Sequence, residues 1–163
     1  RRGPESHGFL GSVLYLAPGF ERLHADLVDL PGRWPRGAVA VELAVGAGGL
    51  RVVTTHLSRL QPLRIAQMRT LGQYLARRPE MPTLLIGDLN EWRPWGGLAF
   101  SARLLGRAFT GPAPRSFPVG RPLLPLDRAL SDRPGAVRAA EALDGPGIRA
   151  ASDHRPIRAR VAV

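Results

Sequence analysis

Apolar residues recur along this chain with two different periods, and the switch between them marks out its elements. Gly11 to Ala17 (GSVLYLA) is a short apolar run stopped by Pro18-Gly19, which predicts a short buried strand. Ala38 to Val45 (AVAVELAV) is a second run, interrupted by Glu42, and Leu50 to Thr55 (LRVVTT) is a third. The glycine-rich Gly46 to Gly49 joins them so tightly that an antiparallel hairpin is predicted. Trp34, between Pro31 and Pro35, falls in the loop before it.

After His56 the period lengthens. Ile65, Met68, Leu71 and Leu75 recur at helical spacing, with Arg64, Gln67, Gln73 and Arg77 mostly between them. Pro62 suits a first turn and Pro79 ends the pattern. Thr83 to Ile86 (TLLI) is branched and apolar throughout, as in a central strand covered on both faces. Leu98 to Leu105 predicts a short helix, and Thr110 to Pro125 a Pro- and Gly-rich loop. Leu126 to Leu130, Val137 to Leu143 and Pro156 to Val163 predict three further strands. The last alternates Ile157, Ala159 and Val161 against Arg158 and Arg160. Strands mixed with helices predict packed α/β layers, with no internal repeat and no linker dividing residues 1–163.

Composition narrows the function classes. At 163 residues and 44% apolar content the chain can bury one real core. There is no cysteine, which excludes disulfides, thiolate metal sites and cysteine nucleophiles. No apolar stretch is long enough for a transmembrane segment. The net charge of +10 permits a polyanionic partner. All 23 basic residues are Arg, however, and Ala, Gly and Pro are abundant, as GC-rich coding alone would produce. The opening Arg1-Arg2-Gly3-Pro4-Glu5 has neither an initiator Met nor an apolar leader, so a cut chain is expected. Localisation, cytoplasmic or secreted, is therefore not readable from it.

Candidate chemistry gathers where strands are predicted to end. These places are Thr55-His56-Leu57-Ser58, Gly87-Asp88-Leu89-Asn90, Leu126-Asp127-Arg128 and Ser152-Asp153-His154-Arg155-Pro156. Asp88 is suited to hold a hard cation and Asn90 to orient a phosphate oxygen or water, although Gly-Asp-x-Asn is equally the composition of a plain Asx turn. Asp153 and His154 are adjacent, so one is free to take a metal while the other reaches substrate. Asp127 is the natural acid to orient His154. His56 is either a satisfied histidine beside the core or, as imidazolium, a partner for phosphoryl charge. Trp92 and Trp95 after Asn90, and more weakly Phe117, either cap the core or wall a site that stacks on a base. His7, His24, Asp26 and Asp29 lie in unpatterned segments, the two acids reading as solvated loop residues.

In order, THLS, the helical R..Q, GDLN, SFP, LDRAL and SDHRP resemble the endonuclease/exonuclease/phosphatase superfamily, from about Gly8 to Val163. The resemblance implies a four-layer α/β/β/α sandwich of the DNase I-like kind, of which this chain supplies the C-terminal two-thirds. It implies hydrolysis of a phosphate ester with Mg2+ or Mn2+. It places His154 against Asp127, Asp153 in the metal and water network, Asp88 and Asn90 at the scissile phosphate, and His56 on the phosphate. Arg64 and Gln67 occupy helix positions that are structural in such proteins. The family's first-strand Asn and metal-binding Glu cannot be assigned here, and Glu5 is the only acid ahead of the match. A missing N-terminal segment, for which a separate chain left by a cut is one candidate carrier, is expected to supply them; loss of the main metal ligand is the alternative. The expected substrate is a phosphodiester in DNA or RNA. A small-molecule or lipid phosphoester, or an inactive binding domain of the same fold, is the alternative.

Overall fold

The computed structural model describes residues 12–33 and 36–162. Five strands form one mixed sheet in the order β1-β2-β3-β4-β5: Glu21–Leu30, Arg36–Val45, Gly48–Thr55, Thr83–Asp88 and Asp127–Ser131. β2 and β3 make the predicted hairpin, with Val45 opposite Gly48 across a two-residue turn. Gly46 adopts the positive φ of 56° that a primed hairpin turn demands. Helix α1 (Gln61–Ala76) carries the chain from β3 to β4, which therefore pair parallel; β5 returns antiparallel to β4.

The two faces of the sheet explain the uninterrupted apolar runs. Ala38, Ala40, Val53, Leu85 and Leu130 point to one side and pack with Met68, Leu71 and Leu75 of α1. Val39, Val41, Val52, Leu84 and Ala129 point to the other. There they meet a two-stranded sheet of β6 (Val137–Ala142) and β7 (Ile157–Val161), through Val137, Ile157, Ala159 and Val161. The alternation read in the last strand thus separates packed from exposed positions. The architecture is α/β, with helix, sheet and second sheet in successive layers. Glu42, which breaks the run in β2, lies directly across from Arg51 and accepts its Nε and Nη2 hydrogen bonds at 3.1 and 2.9 Å. Arg78 joins the pair, so this buried carboxylate is fully compensated.

Two expectations change. Gly11 lies outside the described residues, and Val13 to Ala17 form no strand: Val13 is 59% and Tyr15 87% exposed. A short apolar run makes a strand only where a neighbour completes its ladder, and no partner strand takes these residues among the described ones. Conversely, Asp26 and Asp29 belong to edge strand β1 rather than to a loop. Polar residues hid it from the pattern, although charged side chains are well suited to an edge. Asp26 is tied down by the Tyr74 hydroxyl at 2.8 Å. Arg64 and Gln67, read as structural helix positions, are both buried at the N-terminal end of α1. Trp34, Pro35 and His7 lie outside the described residues, and His24 is in β1. Leu98–Phe100 and Ala102–Leu105 form a short 3-10 turn and helix α2, and Pro146–Ala151 a short helix α3. No described helix is long and apolar enough to cross a membrane.

Candidate active site

Every functional candidate depends on how β3, β4 and β5 finish at one edge of the sheet. His56 follows the last residue of β3, Asp88 is the last of β4, and Asp127 is the first of β5. The β4–β5 register sets Asp88 directly opposite Asp127. Two carboxylates facing each other across a ladder repel, so the placement costs stability and calls for positive charge nearby.

The Gly of Gly87-Asp88-Leu89-Asn90 is required by geometry. Gly87 has φ 130°, and a Cβ there would stand 2.1 Å from the Thr55 carbonyl oxygen. The chain then turns at Asn90, the one described non-glycine residue at positive φ, 50°. Its backbone N–H donates to Asp88 Oδ1 at 3.0 Å, which is an Asx turn. Its side-chain Nδ2 donates to the Leu57 carbonyl at 2.9 Å and to Asp88 Oδ2 at 3.2 Å. The turn reading and the site reading thus describe the same residues, because the turn aims Asp88.

The imidazoles complete the cluster. His154 Nδ1 is 2.7 Å from Asp127 Oδ2, as the motif order implies, and its ring lies 4.8 Å from that of Phe117. Partial burial works against charge on His154, but the Asp127 hydrogen bond and the charges of Asp127, Asp88 and Asp153 outweigh it. Proton affinity is raised above the ordinary histidine value. His56 Nε2 approaches Asp88 Oδ2 at 3.2 Å. A ligand atom each from Asp88, Asp127 and His154 lies within 4.8 Å of the others, a carboxylate-rich set that fits a hard divalent cation.

Serines hold these pieces in place. Ser116 is fully buried; its Oγ accepts from the Asp127 N–H at 3.1 Å and its carbonyl from the Arg155 N–H at 2.8 Å. It thereby ties the Pro-rich loop to the segments that carry Asp127 and His154. Ser152 Oγ accepts the His154 N–H at 3.0 Å.

All of this opens into a cavity of about 650 Å3 lined by His56, Asp88, Asn90, Asp127, Asp153 and His154, with Trp92 and Phe117 as aromatic walls. Asp153 lines it without joining the close ligand group. Trp95 is not in the lining and is 74% exposed. Arg93 lies over the Trp92 ring, 5.6 Å from its centroid.

Two features escape the sequence pattern. Arg36 and Arg59 also line the cavity, Arg36 brought there by its bonds to the His56 and Leu57 carbonyls and Arg59 as the residue after the THLS segment. Beneath the floor lies a buried ionic network. Glu91, fully buried, accepts from Arg64 Nη2 at 3.2 Å and from Arg93 Nε at 2.7 Å and Nη2 at 2.8 Å. Arg128, also fully buried, donates to the carbonyls of Pro125, Pro94, Glu91 and Arg93. Arg64 further donates to the Ser58 and Arg59 carbonyls, and Gln67 Oε1 accepts the Ser58 N–H at 2.8 Å. The helical R..Q pair and the Arg of LDRAL are thus the fasteners of the site loops. A run of invisible partners cannot be read from spacing, but a polar residue on the inner stripe of a helix is the signal that something needs it there.

No curated protein sequence matches the chain. Among solved structures, a conserved protein of unknown function from Enterococcus faecalis superposes with a TM-score of 0.69 at 22% identity, over 88% of this chain and 67% of that one. A Bacteroides thetaiotaomicron mannosyl-6-phosphatase superposes with a TM-score of 0.67 at 14% identity, over the same shares. D. rerio TDP2 complexed with a single-strand DNA product gives 0.58 at 15% identity, over 86% and 67%. At these identities the likeness is one of fold, and the chain spans about two thirds of each structure. The model of the Endonuclease/Exonuclease/phosphatase family matches residues 16–154, an interval holding every motif from THLS to the histidine of SDHRP. The chain therefore belongs to the endonuclease/exonuclease/phosphatase family.

Proposed function

We propose that this chain hydrolyses a phosphodiester with the help of a divalent cation, Mg2+ or Mn2+, and that the substrate is DNA or RNA. The observation that carries the reading is the Asp88–Asp127 pair, set face to face across β4 and β5 with His154 bonded to one of them. Asp88 and Asp127 would hold the cation, with Asp153 on the same cavity wall contributing through the water around it. A cation so held supplies positive charge where negative charge builds on the phosphoryl oxygens.

The rest falls to the chain's own groups. Asp127 fixes His154 Nδ1 as a donor, leaving Nε2 as the ring nitrogen free to exchange a proton with the attacking water. Asn90 holds Asp88 in orientation through its two donated bonds. His56, with Nε2 3.2 Å from Asp88 Oδ2, offers an imidazole hydrogen bond beside the phosphoryl group. Trp92 and Phe117 offer flat apolar surface at the mouth, which favours a nucleic-acid strand among phosphodiesters.

Incubation with supercoiled plasmid in Mg2+ or Mn2+ tests this. Nicking is expected, abolished by EDTA and reduced at least a hundredfold, roughly the lower bound for a general acid–base group, in H154A. Plasmid left intact by a folded, metal-loaded protein, or nicking that H154A retains, overturns it.

A further inference from the structure

A second cavity, of about 530 Å3, adjoins the first and shares two of its walls, Arg36 and Arg59. Arg33 and the start of α1 at Leu60 and Leu63 also line it. Three arginines therefore line one or both of two adjoining cavities, the first of which holds the Asp88–Asp127–His154 cluster. None of the ion pairs among the described residues engages any of them. What sets them apart from other arginines without an ion pair is their place, since all three line the two adjoining cavities.

Arg36 is held where the two cavities meet. Its Nη1 donates to the carbonyls of His56 and Leu57, each at 2.8 Å, so the guanidinium is fixed at the end of β3 before any ligand arrives. That leaves Nε and Nη2 with no hydrogen-bond acceptor among the described residues. Partial burial disfavours its charge and Arg59 adds to that, against the help of Asp88; an anion between the arginines relieves both. A fixed planar guanidinium with unused donors matches a phosphate.

We infer that Arg33, Arg36 and Arg59 form a second phosphate subsite, which takes the backbone phosphate neighbouring the scissile one on a nucleic-acid strand. This rests on the phosphodiesterase reading, and it adds to that reading a direction: the strand enters between Trp92 and Phe117 and leaves over the arginines. Flat aromatic walls at one end and unpaired guanidiniums at the other are what alternating bases and phosphates require. A substrate with a single phosphate uses only the first cavity.

The subsite is tested by anisotropy with a short fluorescein-labelled oligothymidylate in EDTA, where nothing turns over. The R33Q/R59Q double variant is expected to bind about tenfold more weakly, with a salt slope shallower by about one unit. Replacing one backbone phosphate by neutral methylphosphonate should cost the wild type the same and the double variant nothing. In a second arm, R33Q should hydrolyse bis(p-nitrophenyl) phosphate like the wild type. Unchanged oligonucleotide affinity in R33Q/R59Q, or equal loss with and without the methylphosphonate, refutes the subsite. So does tighter arginine-dependent binding to phosphatidylserine vesicles than to the strand, which would make the ligand a lipid surface. A wild type that binds the strand in this arginine-dependent way but hydrolyses neither substrate with Mg2+ or Mn2+ keeps the subsite and rejects the proposed reaction.

Discussion

Glu91→Gln is the most telling single change, because it removes one charge and almost no volume. Glu91 is fully buried and accepts four hydrogen bonds, one from Arg64 and three from Arg93 including its backbone N–H. Arg64 is itself only 1% exposed. An amide here cannot serve two guanidiniums: one oxygen remains as an acceptor, and the NH2 group faces other donors. Breaking one side of a buried ion pair costs about 3–5 kcal/mol. Arg93 can relax towards solvent and Arg64 keeps two carbonyl acceptors, so the lower end, about 3 kcal/mol, is expected. With a urea slope of about 2 kcal/mol/M, the unfolding midpoint falls by about 1.5 M.

The pH dependence makes the test specific. Burial alone would raise the proton affinity of Glu91, but the hydrogen bonds from Arg93 and the charges of Arg64 and Arg93 outweigh it, so its pKa is held below the ordinary 4.5. A carboxylate depressed in the folded state contributes its stability in full above the unfolded pKa and loses it as pH falls through the folded one. The gap between wild type and E91Q should therefore be complete at neutral pH and close below 4.5. Glu42, also depressed, weakens both proteins alike in acid and leaves the difference untouched. Urea melts by tryptophan fluorescence across that range would decide it. A gap under about 1 kcal/mol at neutral pH, or one that does not narrow in acid, refutes the ionic account of the site floor.

Three further outcomes follow from the same geometry. Gly87→Ala would set a Cβ 2.1 Å from the Thr55 carbonyl and force β3 and β4 apart, so a loss above about 4 kcal/mol is expected, read as insoluble or molten protein by circular dichroism. Trp92→Ala should raise the KM for an oligonucleotide about tenfold with little change in kcat, whereas Trp95→Ala, outside the cavity lining, should leave both alone; steady-state kinetics of the pair separates wall from surface. Asp88→Asn removes a charged ligand, so the Mg2+ or Mn2+ concentration giving half-maximal activity should rise at least about tenfold, and calorimetric titration of Mn2+ should show the same weakening.

Much of this protein is determined locally. The hairpin of β2 and β3, helix α1, and the short apolar β4 follow from periodicity, because each buries apolar side chains at the spacing its backbone imposes. The site motifs are legible for a related reason: Gly87, Asp88 and Asn90 build a turn from their own atoms, and that turn is also the business end of the cavity. His154 with Asp127 was legible as an acid and an imidazole at two predicted strand ends, and through the order of motifs, although 27 residues separate them in the chain and 2.7 Å in space.

What the tertiary structure alone decided are the partnerships. Only the β4–β5 register brings Asp88 opposite Asp127, and only the end of β3 brings Arg36 to the cavity wall. The run Val13 to Ala17 shows the converse: among the described residues no strand partners it, and Val13 and Tyr15 are exposed. In β1, polar composition concealed a strand that its pairing with β2 establishes. Arg64, Gln67, Glu91 and Arg128 are all buried, and the sequence does not show their partners, because most of the charges and carbonyl acceptors they meet come from segments distant in the chain. A charge can be read as buried only when its partner is known, and spacing carries no record of a partner that folding supplies.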